Sequence, residues 1–355
     1  MTRFHSYIQL QSLYLELILH INKKTKFCKA AALLGAAVMM ISALAGCGKN
    51  TKVVLTAGLK KNEVFRISSA SCMLPEVMVY LTNMQNQYES VYGSQIWNAS
   101  DGQLSLEQEE REQVLTQLAR IKVMNLLAQK KEVTLDDKEK ERAAAAGREY
   151  FTSLNSAEVT ALNVTQDLIT KMYEEYALAE KVYQTIVENV NPEVSDDEAR
   201  TITVDRIKVS SAAKASQVLG KAKEEGVDFE TLAQAESEDQ TVTQSFGKGE
   251  VPEALEKAAF NLGKDEISDV VESDGSYYIL KCISTFDEAQ TKANKEKIVK
   301  QRQSEAFDTE YTAFEQTLVR QLNEELWNSV TMIHQDDVKT SSFFEVYQMY
   351  FQHQE

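Results

Sequence analysis

The sequence predicts an α+β protein in which a small sheet-containing module is set between helical segments, and three observations predict it. Only three prolines, Pro75, Pro192 and Pro252, and thirteen glycines punctuate the chain, so long helices should dominate. Apolar residues recur at helical spacing before Pro192 and again towards the C-terminus. Between those stretches, Ile202 to Val209 and Tyr277 to Ile283 have the pattern of strands.

The chain opens on a segment with the order of a secretory signal. Lys23, Lys24, Lys26 and Lys29 form a cationic region, and Ala30 to Ala45 is apolar apart from Ser42. That run is short for a transmembrane helix, which needs about 20 apolar residues. Leu44-Ala45-Gly46-Cys47 resembles the bacterial lipobox, which implies a signal peptide over 1–46 and a lipid-modified Cys47 as the first mature residue. Residues 1–22 fit less well and are read as lying ahead of the true start. Each acyl chain on Cys47 would contribute about 0.8 kcal/mol per buried methylene, so two or three would hold the protein on a membrane.

The formal charge is −16, and removing residues 1–46 takes away five basic residues and one acid, leaving −20. Such a surface repels nucleic acid and anionic headgroups, which excludes nucleic acid as a partner and leaves the acyl chains as the membrane attachment. Beyond Cys47 only Cys72 and Cys282 remain, too few for a disulfide scaffold, and two free buried thiols are expected.

Taken in order, the first helix begins at Ser105, which makes a capping box with Gln108, and carries Val114, Leu118, Ile121, Met124 and Leu127 on one face. A second spans Asp136 to Leu154. A third follows Thr165, with Leu168, Met172, Tyr176, Ala179, Tyr183, Ile186 and Val190 aligned, and stops at Asn191-Pro192. These stripes read as packing surfaces of a helical domain, and no cofactor is expected. After the strand Ile202 to Val209 come helices over Ala212 to Glu225 and Phe229 to Glu236, then the strand Tyr277 to Ile283. Gln290 to Leu326 reads as helical again, with Phe307, Tyr311, Phe314, Leu318 and Leu322 on one side. The tail from Val338 to Phe351 is too aromatic for a solvated terminus and should dock on the helical domain, the alternative being an exposed aromatic segment that meets a client or partner.

No metal site is expected. Ser195-Asp196-Asp197-Glu198 reads as a helix start, and Asp336-Asp337 as a solvated turn. Of the four histidines, His5 and His20 precede the lipobox and His334 and His353 lie near the C-terminus, which leaves a Ser-His-Asp triad or a histidine-rich zinc site little to be built from. Gly247-Lys248-Gly249 is too short for a phosphate loop.

The module from Thr201 to Thr285 resembles the parvulin family of peptidyl-prolyl isomerases. The likeness runs through Arg206-Ile207-Lys208-Val209, Asp228-Phe229-Glu230-Thr231-Leu232-Ala233, Ser237-Glu238-Asp239, Phe246-Gly247-Lys248-Gly249, Glu256-Lys257-Ala258-Ala259-Phe260 and Gly275-Ser276-Tyr277-Tyr278-Ile279-Leu280-Lys281. With the lipobox and the flanking helices, the chain resembles the PrsA type of extracytoplasmic foldase lipoprotein, with a SurA-like helical chaperone part. The resemblance implies a discontinuous, mostly helical chaperone domain (47–200 and 286–355) with an inserted parvulin-like domain (201–285), a small antiparallel sheet flanked by helices. It also implies unfolded or newly translocated secreted proteins as clients, a homodimer as one way of cradling them, and a Gram-positive cell membrane in preference to a Gram-negative one.

Parvulins rotate the X-Pro amide, whose barrier is roughly 18–20 kcal/mol, with no covalent intermediate, beside a network of two histidines and a cysteine or aspartate. Here Arg206 and Tyr278 stand at the histidine positions and Asp239 at the third, while Phe246, Val251, Leu255 and Phe260 line the implied substrate pocket. The approach to Phe246 reads as a shortened loop through Thr243 and Gln244. An arginine has five donors and no acceptor, so weak or absent isomerase activity is expected. Three functions are consistent with the sequence: a chaperone or foldase with a degenerate isomerase module, a working prolyl isomerase, and a non-catalytic lipoprotein of envelope assembly.

Overall fold

The computed structural model describes residues 58–99 and 105–351, so Cys47 and the segment before it lie outside the described residues. The described chain packs as two units. One takes the residues up to Thr185 and from Asp308 on, the other Ile186–Phe307.

The first unit starts with a hairpin, β1 (Glu63–Ile67) and β2 (Ala70–Met73), joined through Ser68 and Ser69, with Ser68 at a φ of 50°. Helix α1 (Leu74–Tyr92) follows at once, with Pro75 in its first turn and the Glu76 carboxylate accepting the Met73 N–H at 2.6 Å. Neither the hairpin nor α1 has a counterpart in the helices read from the sequence. Helix α2 (Leu106–Lys131) begins on the expected Ser105–Gln108 box, and α3 (Asp137–Ser153) on a second box made by Asp136 and Glu139. A short α4 (Ser156–Leu162) is capped by Asn155, and α5 (Gln166–Val187) carries the third apolar stripe. A Cβ on Gly147 of α3 would fall 2.9 Å from the Thr170 Cα of α5, so only glycine permits that approach.

Three helices meet on one buried charge. The Lys122 ammonium of α2 donates to Glu76 of α1 at 2.5 Å and to Glu175 of α5 at 2.6 Å, with the Lys122 and Glu76 side chains each 2% exposed. Burial alone would favour the neutral amine, but the two carboxylates hold Lys122 above the usual lysine range. Towards the N-terminal end of α2, Glu110 is fully buried, with the Tyr88 hydroxyl of α1 beside it. Burial pushes its carboxyl up to about 8.

The aromatic tail docks as expected. Helix α6 of the second unit (Asp196–Ala199) precedes it in the chain, and within the first unit the C-terminal segment ends in a helix over Phe343–Phe351. Phe343 stacks on Tyr173 at 4.5 Å and meets Tyr80 and Tyr150 at 5.3 Å each. Polar groups inside this cluster are matched: Asn83 accepts the Phe343 N–H at 3.0 Å and donates to the Tyr150 hydroxyl at 2.7 Å, while the Tyr173 hydroxyl donates to the Phe343 carbonyl. Asp336 and Asp337 form the exposed turn before it.

In the second unit, β3 (Thr201–Val209) is followed by helices α7 (Ala212–Ala222) and α8 (Phe229–Glu236), then by β4 (Thr243–Gly247), α9 (Glu253–Phe260), β5 (Val271–Ser273) and β6 (Ser276–Ser284). The four strands make one antiparallel sheet in the order β4-β3-β6-β5. Ile207, Val209 and Ile279 pack on α7 and α8, whereas Ile202, Val204, Tyr278 and Leu280 pack on α9. Alternation along β3 and β6 therefore builds two cores, one on each face. The stretch through Thr243 and Gln244, expected as a shortened loop, is instead the start of β4, where Thr243 pairs with Asp205 and Gln244 with Val204. The Thr243 hydroxyl donates to the buried Asp205 carboxylate at 2.6 Å, which fixes that register.

The helix expected over Gln290 to Leu326 is corrected by the structure. Helix α10 (Glu288–Glu315) stops at Glu315, and Arg320–Leu322 forms a strand, β7, on the free side of β1. The chain turns through Thr317, whose N–H and hydroxyl both donate to the Phe314 carbonyl. Pairing of Phe65 with Leu322 and of Ile67 with Arg320 then outweighs the helical spacing of Leu318 and Leu322. A short helix, α11 (Glu324–Asn328), follows, and α12 is the C-terminal helix Phe343–Phe351. Cys72 and Cys282 are both buried free thiols, and burial raises both above the ordinary thiol range. Among the described residues no helix is long and apolar enough to cross a membrane.

Two outcomes are expected. Lys122→Met should cost about 3–5 kcal/mol of stability in urea unfolding, because it strands the buried Glu76 carboxylate and the half-buried one of Glu175. Glu110 binds its proton more tightly when folded, so between about pH 4.5 and 8 stability should fall as pH rises, by up to about 1.4 kcal/mol per unit, and Glu110→Gln should flatten that slope.

Candidate functional site

The candidate site lies on the α9 face and the β4 side of the second unit's sheet. Alternation places Arg206 on the same face as Val204, and its cross-strand partner is Leu280, while Tyr278 pairs with Lys208. Beyond the end of β4, residues 237–242 continue alongside β3. The Arg206 N–H donates to the Val242 carbonyl and the Glu238 N–H to the Lys208 carbonyl, both at 2.8 Å, and the Lys208 N–H donates to the Ser237 hydroxyl.

This path brings Asp239 to Arg206. The guanidinium donates to the Asp239 carboxylate at 2.6 Å and, through Nε, to the Thr241 carbonyl at 3.2 Å. The other Asp239 oxygen accepts the Thr241 N–H, and the Asp239 N–H donates to the Ser237 hydroxyl. The pair is a clamp that holds the 239–242 loop on β3. Its arginine donates, and it offers no neutral acceptor of the kind an imidazole supplies.

Tyr278 does not join the clamp. It makes no hydrogen bond to Arg206 or Asp239, and its ring packs in the α9 core with the Lys208 ammonium 5.9 Å from its centroid. The residues expected to line a substrate pocket do come together: Phe246 and Leu255 are buried in that core, and Val251 and Phe260 pack on it. Phe246 and Phe260 meet edge to face at 6.1 Å, and the Arg200 guanidinium lies 4.9 Å from the Phe260 ring. The apolar surface is continuous with the fold's own core.

The loop Gly247-Lys248-Gly249 is taken up internally. The Gly247 N–H donates to Glu250, the Gly249 N–H to Glu256, and Lys248 pairs with Asp197 at 2.8 Å, which leaves the loop little with which to bind an anion. His334, in the first unit, is more than half exposed and sits by Gln85 and Glu89. Cys47 lies outside the described residues.

One feature the sequence reading passed over is a cleft of about 440 Å³ in the first unit, lined by Ser69 to Ser71 and Met73 of the hairpin, by Lys122, Asn125, Leu126 and Gln129 of α2, and by Lys171 and Glu175 of α5. Its only signal in the sequence was a lysine, Lys122, placed one turn from Leu118 and Leu126 inside an apolar stripe.

Residues 188–297 match the PPIC-type PPIASE domain, so the second unit is a parvulin-class domain. Among curated proteins, the foldase protein PrsA of Streptococcus pneumoniae strain Hungary19A-6 is 31% identical over 165 residues, covering 41% of this chain and 53% of the relative. The chain spans about half the length of the curated relatives it matches. Similar solved structures include PrsA of Bacillus cereus, 17% identical with a TM-score of 0.36 over 85% of this chain and 100% of that one. A SurA-like chaperone of Campylobacter jejuni is 10% identical with a TM-score of 0.29, over 74% of this chain and 99% of that one.

A double-mutant cycle of Arg206→Ala and Asp239→Ala should return a coupling of about 1 kcal/mol in urea unfolding, the upper range for a partly exposed pair. Amides 239–242 should exchange hydrogen faster in both single variants.

Proposed function

We propose that this chain is an extracytoplasmic foldase-type chaperone, anchored to the cell membrane by acyl chains on Cys47, that binds unfolded, newly translocated proteins while its parvulin-class unit contributes little or no isomerase catalysis. The Arg206–Asp239 clamp carries this reading. A site that lowers the barrier to X-Pro rotation needs an apolar recess and polar groups poised at the amide, whereas here the polar pair is spent on holding a loop and the apolar residues pack as core. The curated relatives are named foldases, and one similar solved structure is described as a SurA-like chaperone, which supports client binding as the activity that remains. The net charge of −16 supports solubility of a protein that holds aggregation-prone chains.

The test pairs two assays on the soluble chain from residue 48. It should suppress aggregation of a chemically unfolded reporter at near-stoichiometric ratio, and it should accelerate cis/trans exchange in a panel of proline peptides by less than about twofold. Acceleration of tenfold or more that is lost in Asp239→Ala would instead make the clamp part of an active isomerase. Capture of one defined envelope partner without aggregation suppression would favour an assembly role. Expression of the full chain with Cys47→Ser should release it from the membrane fraction.

A further inference from the structure

The cleft in the first unit has an open strand for one wall. In the sheet order β2-β1-β7, β2 is an edge among the described residues. Ile67 and Ala70 flank the two-residue turn and form the hydrogen-bonded pair of the hairpin, so in the next pair, Arg66 and Ser71, the backbone groups point away from each other. The N–H and C=O of Ser71 thus face outward, and among the described residues no backbone hydrogen bond beyond the hairpin takes them up. Two residues on, the Met73 N–H is already closed by Glu76, which ends the edge. Exposed edges of this kind are normally covered or charged, because they pair with any extended chain.

The opposite wall is built rather than accidental. Glu76 and Glu175 fix Lys122 from two sides, and the Asn125 amide donates to the Ile121 and Glu175 carbonyls at 2.8 Å each, so α2 and α5 stand at a set distance from the strand. The volume, about 440 Å³, lies in the range of specific ligand sites. Ala70, Met73 and Leu126 supply apolar lining, and Ser69, Ser71 and Gln129 polar lining. At the rim, Lys60 and Lys171 are exposed cations on a chain of formal charge −16.

We infer that this cleft binds an extended polypeptide segment as an added strand on β2, paired through the backbone of Ser71, with an acidic side chain of the segment directed to Lys60 or Lys171. Such pairing reads the main chain and tolerates many sequences, while the lysines bias the choice. The inference rests on the proposal that the chain binds unfolded polypeptide and names where it does so.

The test uses the full chain and a fluorescein-labelled heptapeptide of alternating valine and threonine with a central aspartate, read by anisotropy, beside the same peptide N-methylated on alternate residues. The unmodified peptide should bind at least tenfold more tightly than the methylated one. Ser71→Pro, which removes the outward N–H, should weaken it at least tenfold, Ser71→Ala, which keeps that N–H, less than twofold, and Lys171→Glu about threefold. Equal binding of the two peptides, no binding of either, or undiminished binding to a folded Ser71→Pro protein would overturn the inference. If Ser71→Pro fails to fold, the methylated peptide still decides. A chain that suppresses aggregation yet does not discriminate the peptides would retain the proposed function and lose this site, whereas discrimination without aggregation suppression would do the reverse.

Discussion

The buried ion triad of Lys122 with Glu76 and Glu175 is the constraint on which the first unit depends. It joins α1, α2 and α5 at one point, and its geometry is close, 2.5 and 2.6 Å. Burying Lys122 and Glu76 is costly, and such groups often stabilise less than an apolar replacement would, but they discriminate strongly against wrong packings because any slip strands a charge. Glu76 has a second task. Its other oxygen closes the Met73 N–H, so the same carboxylate that neutralises Lys122 ends β2 and starts α1. The position of the hairpin relative to the helices follows from one residue's two oxygens.

The second unit solves a different problem, that of a four-stranded sheet covered on both faces. Its two cores are separated by the alternation of β3, so every substitution on that strand falls on one face or the other. Arg206 falls on the α9 face but too near the β4 side to be swallowed by the core, and its guanidinium turns to the 239–242 loop. Where the parvulin resemblance implies a histidine, the chain has a residue that fastens the neighbouring loop. Tyr278, at the other implied histidine position, keeps its ring in the core and so substitutes for packing rather than for hydrogen bonding. The two replacements therefore fail to restore a network.

Much of this was legible in the sequence where a local rule had no competitor. The Ser105–Gln108 box began a helix, the alternation of Ile202 to Val209 gave a strand, and the aromatic tail docked because burying Phe343, Phe344 and Tyr347 outweighs leaving them in water. The pairing of Arg206 with Asp239 was foreseeable from charge; the exclusion of Tyr278 was not, since it depends on where a ring fits. Failures came where a distant partner decided. Arg320–Leu322 has helical spacing with the residues before it, yet β1, some 250 positions earlier, offers it a ladder. The hairpin itself was missed because its turn, Ser68-Ser69, contains none of the glycine or asparagine that usually marks one. Lys122 was overlooked because a lysine among leucines reads as noise until its two carboxylates are found on other helices.

How such a molecule could hold an unfolded chain is limited by what its surface offers. Binding through exposed apolar patches is a natural first thought, but Phe343, Phe344 and Tyr347 of α12 are consumed inside the first unit. Among the described residues the large exposed apolar side chains are Val91, Ile283, Phe286, Val319 and Met349, which belong to separate elements or loops. Scattered side chains of this kind are ordinary and do not amount to a docking surface. What an unfolded client always presents, whatever its sequence, is unpaired backbone, and a sheet edge facing a fixed cleft answers that chemistry directly. Recognition through the main chain also suits a strongly acidic protein, because it needs no broad apolar face that would itself invite aggregation, and it places the specificity in the few cations at the rim.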